Sequence, residues 1–283
     1  MRTSAASDTN DQAVHQGEVV VSSLWSRIRS SKSIEEILLK VLSIVVVVVV
    51  WWLLSMTLPS HILPGPVKTT QTLMGEVISG RVVLHVSATL GRLVSGFFLA
   101  MVIGVVTGTI MGLSRKSESI MDAWVMAALT VPGLVYIILA FMWFGLNEFS
   151  TSVGIAVTTF PAIAINMWQG VKSIDNKLID MARVFRTSKI KRFTKVIIPQ
   201  VLPFVMASTR FGLGIAWKIT VLAELLGRST GVGYMLNYWF QLYNMAQVFA
   251  WTVLFTVLML LIEVVILKRI EESLFKWRPA ARI

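Results

Sequence analysis

Four charged residues stand where charge is expensive. Arg92, Arg210, Lys218 and Glu224 each fall within or at the end of a long apolar run. An ionisable group in hydrocarbon faces the bundle interior or a watery path, and it needs a partner. Lys218 is the deepest. It either draws an anion along a pathway through the membrane or balances a carboxylate on a neighbouring span, with Glu224 a candidate. Arg92 and Glu224 lie near the outer ends of their runs, where long side chains reach water by snorkelling. Glu263, beside Lys268 and Arg269 at the inner end of the last run, reads as structural. Nothing else suggests reaction chemistry. His15, His61 and His85 are scattered without metal-ligand spacing. The chain has no cysteine, which rules out disulfides and thiolate metal sites. It also lacks a G-x-x-x-x-G-K-[ST] phosphate loop.

The elements that must hold these charges are membrane helices. The 283 residues are 55% hydrophobic and 14% charged, with mean hydropathy +0.73. A soluble domain carries roughly 25% charged residues. Residues 41–58 contain no charge and include IVVVVVVWW. A valine run in water favours a strand, but a lone segment in lipid must satisfy its own backbone, so it becomes a helix. Pro59, Pro64 and Pro66 break the chain beyond it. A short helix is expected at the outer surface over 69–80. Further spans are expected at about 88–113, 120–146, 151–171, 201–226 and 248–267 by apolar length. The second carries Gly104, Gly108 and Gly112, a small-residue stripe that permits close helix contact. A loop is expected over 114–119. Pro132-Gly133 should kink the third span, which relieves packing. Residues 1–34 are polar, and over 23–31 a short amphipathic segment should lie on the membrane surface.

Orientation follows from Lys and Arg. With the N-terminus inside, only Lys68, Arg81 and Arg228 fall on outer segments, and Arg92, Arg210 and Lys218 lie within spans. The rest of the 26 cations are inside. Six spans then leave both termini cytoplasmic. The net charge of +11 is thereby absorbed as topology, and no nucleic-acid partner is called for.

The largest inner segment, 172–203, reads KSIDNKLIDMARVFRTSKIKRFTKVIIPQVLP. Asp175 can cap a helix on which Leu178, Met181, Ala182 and Phe185 share a face, with Lys177, Arg183 and Arg186 largely turned away. Such a helix fits a groove on a soluble partner or rests on anionic lipid. Trp51, Trp52 and Trp239 read as interfacial anchors. The loop at 227–234, with Gly227, Gly231 and Gly233, is either an outer gate or a tight re-entrant turn.

This segment resembles the cytoplasmic EAA loop of ATP-binding-cassette importer permeases. Asp180-Met181-Ala182 fills the EAA slot, Ile198-Pro199 the ending, and Arg186 stands where the family usually has Gly. A positive φ there would cost an arginine more than a glycine. Thr89-Leu90-Gly91-Arg92 with Gly96, Trp143-Phe144-Gly145, and Ala223-Glu224 followed by Thr230-Gly231-Val232-Gly233-Tyr234 resemble other parts of the same domain, over about 85–270. The nearest branch is that of nitrate, sulfonate, taurine and bicarbonate permeases.

The resemblance implies an all-α integral membrane protein with a type I importer permease fold, in the cytoplasmic (inner) membrane. It implies a permease subunit that is not itself an enzyme and carries a small anionic solute by alternating access. Two cytoplasmic ATPase subunits would bind the ATP, so the chain needs no cofactor of its own. A second copy and a periplasmic or lipid-anchored solute-binding protein would complete the assembly in the lipid bilayer. Asp180, Met181, Ala182, Phe185, Arg186 and Pro199 would couple to the ATPase, and Lys218, Glu224, Arg92 and Arg210 would belong to the pathway. The expected organisation is a tail at 1–34, a first span with outer loop at 35–84, a core at 85–270 containing the coupling loop 172–200, and a cytoplasmic tail at 271–283. A secondary transporter or channel would often show inverted repeats, and none is evident. A membrane enzyme would need a His, Asp or Glu constellation that the spans lack.

Overall fold

The computed structural model describes residues 38–275, so the expected tail at 1–34 and its surface segment lie outside the described residues. The described chain is helical throughout, apart from turns. It divides into two compact units, up to Pro66 and from Val67 onward.

The first unit holds α1 (Leu38–Thr57). Its polar groups close locally: Ser43, Ser55 and Thr57 hydroxyls donate to carbonyls three residues back. The Trp51 indole donates to the Pro64 carbonyl at 3.1 Å, which folds the proline-rich turn back along the helix.

The second unit begins with α2 (Pro66–Ile78), close to the expected short helix. Next come α3 (Arg81–Leu113), α4 (Arg115–Thr130), α5 (Gly133–Phe144) and α6 (Glu148–Lys172). The loop expected at 114–119 shrinks to Ser114. Its hydroxyl caps α4 by accepting the Ser117 amide, so the chain turns on one residue. The third span is not one kinked helix. α4 and α5 meet at 94°, because Pro132 ends one helix and Gly133 starts the next. Gly133 is needed for packing: a Cβ there would lie 2.4 Å from Ile219 Cδ1 and 2.7 Å from Thr158 Cγ2. Among the described residues, five helices are each long and apolar enough to cross a membrane, and the bent pair makes six when counted as one span.

α6 is the central post, with α3, α4, α5 and α9 all packed on it. The glycine stripe of α3 explains how closely α3 approaches. A Cβ on Gly104 would sit 2.7 Å from Ile163 Cβ, on Gly108 2.3 Å from the Ala164 carbonyl oxygen, and on Gly112 2.5 Å from Val171 Cβ. Small residues at this spacing substitute backbone contact for the hydrophobic drive that lipid removes. Lys172 at the inner end of α6 pairs with Glu118 of α4 at 2.8 Å.

The inner segment folds as α7 (Asn176–Val184), α8 (Lys189–Arg192) and a widened π turn, Phe193–Ile197. This runs directly into α9 (Ile198–Gly227). The π turn falls where Pro199 cannot donate an amide to the preceding turn. The fifth span is therefore the upper part of a continuous 39-residue helix, Lys189–Gly227. α10 (Val232–Gln241), α11 (Met245–Leu261), a second π segment (Ile262–Leu267) and α12 (Lys268–Leu274) complete the unit. Trp217 of α9 stacks on Phe255 of α11 at 4.1 Å, which carries the core across to the last span.

Candidate functional site

Two regions hold the candidate residues, one at each end of α9. At the inner end, Asp175 caps α7 by accepting the Lys177 amide at 2.8 Å, as its sequence position suggests. The Gln200 side chain accepts the Asp175 amide at 2.7 Å and ties the start of α7 to α9. The helix ends in a Schellman arrangement. The Arg186 amide donates to the Arg183 carbonyl, and the Thr187 amide to the Ala182 carbonyl. Arg186 occupies the left-handed position at φ 52°, so the conformation that suits glycine is kept although the residue is arginine. The Thr187 hydroxyl reinforces the turn by donating to the same Ala182 oxygen at 2.7 Å.

The apolar residues of α7 divide between two directions. Ala182 is buried, where α7 packs on the π turn. Leu178, Met181, Val184 and Phe185 are exposed. The single face drawn through Leu178, Met181, Ala182 and Phe185 is thus corrected: Ala182 supports the helix from beneath, and the outward surface includes Val184. The Asp180 carboxylate meets Arg183 at 2.9 Å in an exposed pair that contributes little stability. Pro199 sits just after the π turn within the continuous helix, and the widened turn accommodates its missing amide.

At the outer end, Arg92 and Glu224 do not snorkel. Both are buried, Glu224 at 1% exposure, and they pair at 2.7 Å. Glu224 also accepts the Thr89 hydroxyl at 3.0 Å and the Gly233 amide at 2.9 Å. Arg92 holds Glu148 with Nε and Nη2, at 2.8 and 2.9 Å, and holds Thr230 through its carbonyl and hydroxyl. Arg228 Nη2 donates to Glu148 Oε1, the same oxygen that Arg92 Nη2 holds. Every arm of Arg92 is used, which is what a buried guanidinium requires. The loop after α9 is stitched down as well. The Gly231 amide donates to His85 Nδ1 at 3.1 Å, and the Val232 amide to the Thr89 hydroxyl at 2.8 Å. Gly231 has φ 116°, and a Cβ there would fall 2.2 Å from the Glu224 carboxylate, so no other residue fits. The loop is a tight turn bound to α3, α6 and α9.

Glu224 therefore balances Arg92, not Lys218. Lys218 is exposed on α9 and lines a cavity of about 280 Å³ together with Arg210 and Glu263. Arg210 pairs with Glu271 of α12 at 2.9 Å. Glu263 belongs to this cavity, and a π segment places it there. The sequence did not single out Thr89, Glu148, Thr230 or Arg228 as one site. Two of the segments carrying the family resemblance, 89–92 and 223–234, do converge in it.

The described residues form a polytopic helical unit with a basic loop between two spans. Residues 100–276 match the family of the binding-protein-dependent transport system inner membrane component, and the chain belongs to that family. A Bacillus subtilis protein described as an aliphatic sulfonates transport permease is 35% identical, over 77% of this chain and 78% of its own. The taurine transport system permease protein of Escherichia coli is 33% identical, over 54% of this chain and 56% of its own. A chain of the MetNI methionine ABC transporter, solved in inward-facing conformations, superposes with TM-score 0.62 at 20% identity. The match covers 70% of this chain and 98% of that one. The fold is thus that of a type I importer permease. The protein is an inner-membrane permease subunit of an ATP-binding-cassette importer, with ATP hydrolysis and solute capture on separate partners.

Proposed function

We propose that two copies of this permease form the pathway for a small organic oxyanion of the sulfonate kind, and that α7 is the contact through which the ATPase drives it. The observation that carries the coupling assignment is the exposed apolar set Leu178, Met181, Val184 and Phe185 on α7. An apolar helix face in solvent is stabilised by insertion into a partner groove. Asp180, Arg186 and Pro199 shape this contact: Asp180 and Arg186 frame the helix end, and Pro199 starts the span that receives the motion. Ala182 takes part as the buried support beneath the face.

Lys218 and Arg210 are the pathway cations. Lys218 is exposed deep in α9 and lines the cavity with Glu263, which suits a surface turned to a watery path. Arg92 and Glu224 serve the pathway indirectly, by holding the turn at 228–233 that closes α9. The sulfonate class is supported by the names of the two relatives and by these cations. A solute-binding protein would meet the outer side, and lipid would surround the spans.

The deciding experiment is co-purification of the ATPase with Phe185→Asp and Leu178→Asp variants in native membranes. Assembly should fall by at least about tenfold, the loss of roughly 1.4 kcal/mol or more of apolar contact. Normal assembly with both variants, together with binding of the loop to anionic vesicles, would assign α7 to the lipid surface instead.

A further inference from the structure

α10 has two faces. Val232, Met235 and Trp239 pack into a cluster with Trp251. Tyr234, Asn237, Tyr238 and Gln241 follow i, i+3, i+4, i+7 spacing and line a cavity of about 580 Å³ on the other side. That volume falls within the range of roughly 300–1,000 Å³ typical of small-ligand sites. The facing wall carries Arg228 and Ser229 at the end of α9. The simplest account of a polar helix face is contact with water. Arg228 argues for more. Its side chain is 13% exposed, it bonds Glu148, and its Nε has no hydrogen-bond partner. That Nε is itself buried, so it is the rest of the side chain that lines the cavity, beside its amide and phenol groups.

The local charge defines the ligand further. Arg92 and Arg228 are matched by Glu148 and Glu224, so these four groups add no net charge at the cavity. Recognition must come from directed donors more than from a strong field. That favours a monoanion or zwitterion with an oxyanion head over a dianion.

We propose that this outer cavity is a solute site of the permease itself, taking a small monoanionic sulfonate through Arg228, Asn237, Tyr238 and Gln241. The proposal rests on the sulfonate reading above and adds a place where the solute is held before it reaches Lys218. Arg228 meets the sulfonate oxygens as a charge-assisted donor. Asn237 Nδ2 already donates to the Leu225 carbonyl and Gln241 Nε2 to Asn237 Oδ1, so each amide offers its second N–H to the sulfonate beside the Tyr238 hydroxyl, and Leu146 and Leu225 border the organic tail.

The test is calorimetric titration of the full permease–ATPase complex in detergent, without binding protein. Methanesulfonate is the probe, sulfate the dianion, and sodium chloride the ionic-strength control. Methanesulfonate should bind saturably and more tightly than sulfate. Asn237→Leu and Gln241→Leu should each weaken it by about tenfold, the effect of one hydrogen bond to a charged group. Tyr238→Phe removes only a hydroxyl and serves as the mild variant should a leucine variant fold poorly; it should weaken binding in the same direction. No methanesulfonate binding beyond the chloride control would overturn the site. So would equal binding in every variant, or sulfate bound as tightly. If methanesulfonate does not bind yet alkanesulfonate-loaded binding protein still stimulates ATP hydrolysis by the complex, only the outer site fails; if it does neither, the sulfonate reading itself fails.

Discussion

Arg92 is the residue on which most of the outer architecture depends. Arg92→Leu would leave Glu224 buried without its charge partner, and breaking a buried pair in this way costs roughly 3–5 kcal/mol. Thermal unfolding in detergent should show a large loss for Arg92→Leu, with partial recovery in the double variant Arg92→Leu/Glu224→Met. Additive losses would mean that the pair is not coupled. Arg186 makes a smaller, opposite prediction. Its left-handed backbone costs an L-residue roughly 1 kcal/mol, so Arg186→Gly should stabilise the end of α7. Slower amide exchange at Thr187 would report this, and unchanged or faster exchange would refute it. Sequence reading placed an unusual residue at 186 correctly, because a motif position and a backbone preference are both local. It misplaced Arg92 and Glu224 as snorkelling residues. The side-chain partners of Arg92, Glu224 among them, lie 56 to 138 positions away, and no periodicity reports pairing at that range.

At the scale of elements, α7 and the stripe on α3 were the most legible parts. Capping by Asp175 and a 3.6-residue period are both written within a few positions. Gly104, Gly108 and Gly112 announced a close contact, though not that α6 was the partner. The burial of Ala182 was not legible, since it depends on how the loop folds back on the π turn. The right-angle break at Pro132-Gly133 was visible as a break, but not its 94° angle or the close packing of Gly133 against Thr158 and Ile219. The stripe gives a direct test. Gly108→Leu would drive a side chain into the Ala164 carbonyl and should abolish folded yield, measured by size exclusion in detergent. Gly91→Ala meets nothing within 4 Å and should be neutral. Equal yields for both would refute the close α3–α6 contact.

At the scale of the whole molecule, the apolar runs already pointed to a polytopic protein, and the cation asymmetry predicts that both termini are cytoplasmic. Because the chain has no cysteine, single introduced thiols can check this cleanly. Lys177→Cys should react with an impermeant maleimide only from the cytoplasmic side, and Gln241→Cys only from the outside. Labelling of both from one side would overturn the topology. The helix count was less legible, because a bent pair counts as one span or as two segments depending on the packing around it.

The unbroken helix from Lys189 to Gly227 has a mechanical consequence. At 1.5 Å per residue its 39 residues form a rod about 58 Å long. One end adjoins the loop that carries α7, and the other carries Glu224. A tilt of about 5° pivoting at the inner end sweeps the outer end through about 5 Å on the same geometry. That throw exceeds any hydrogen bond in the Arg92 cluster. A small angular input below therefore acts as a lever on the bonds above, and the cluster sets the load it works against.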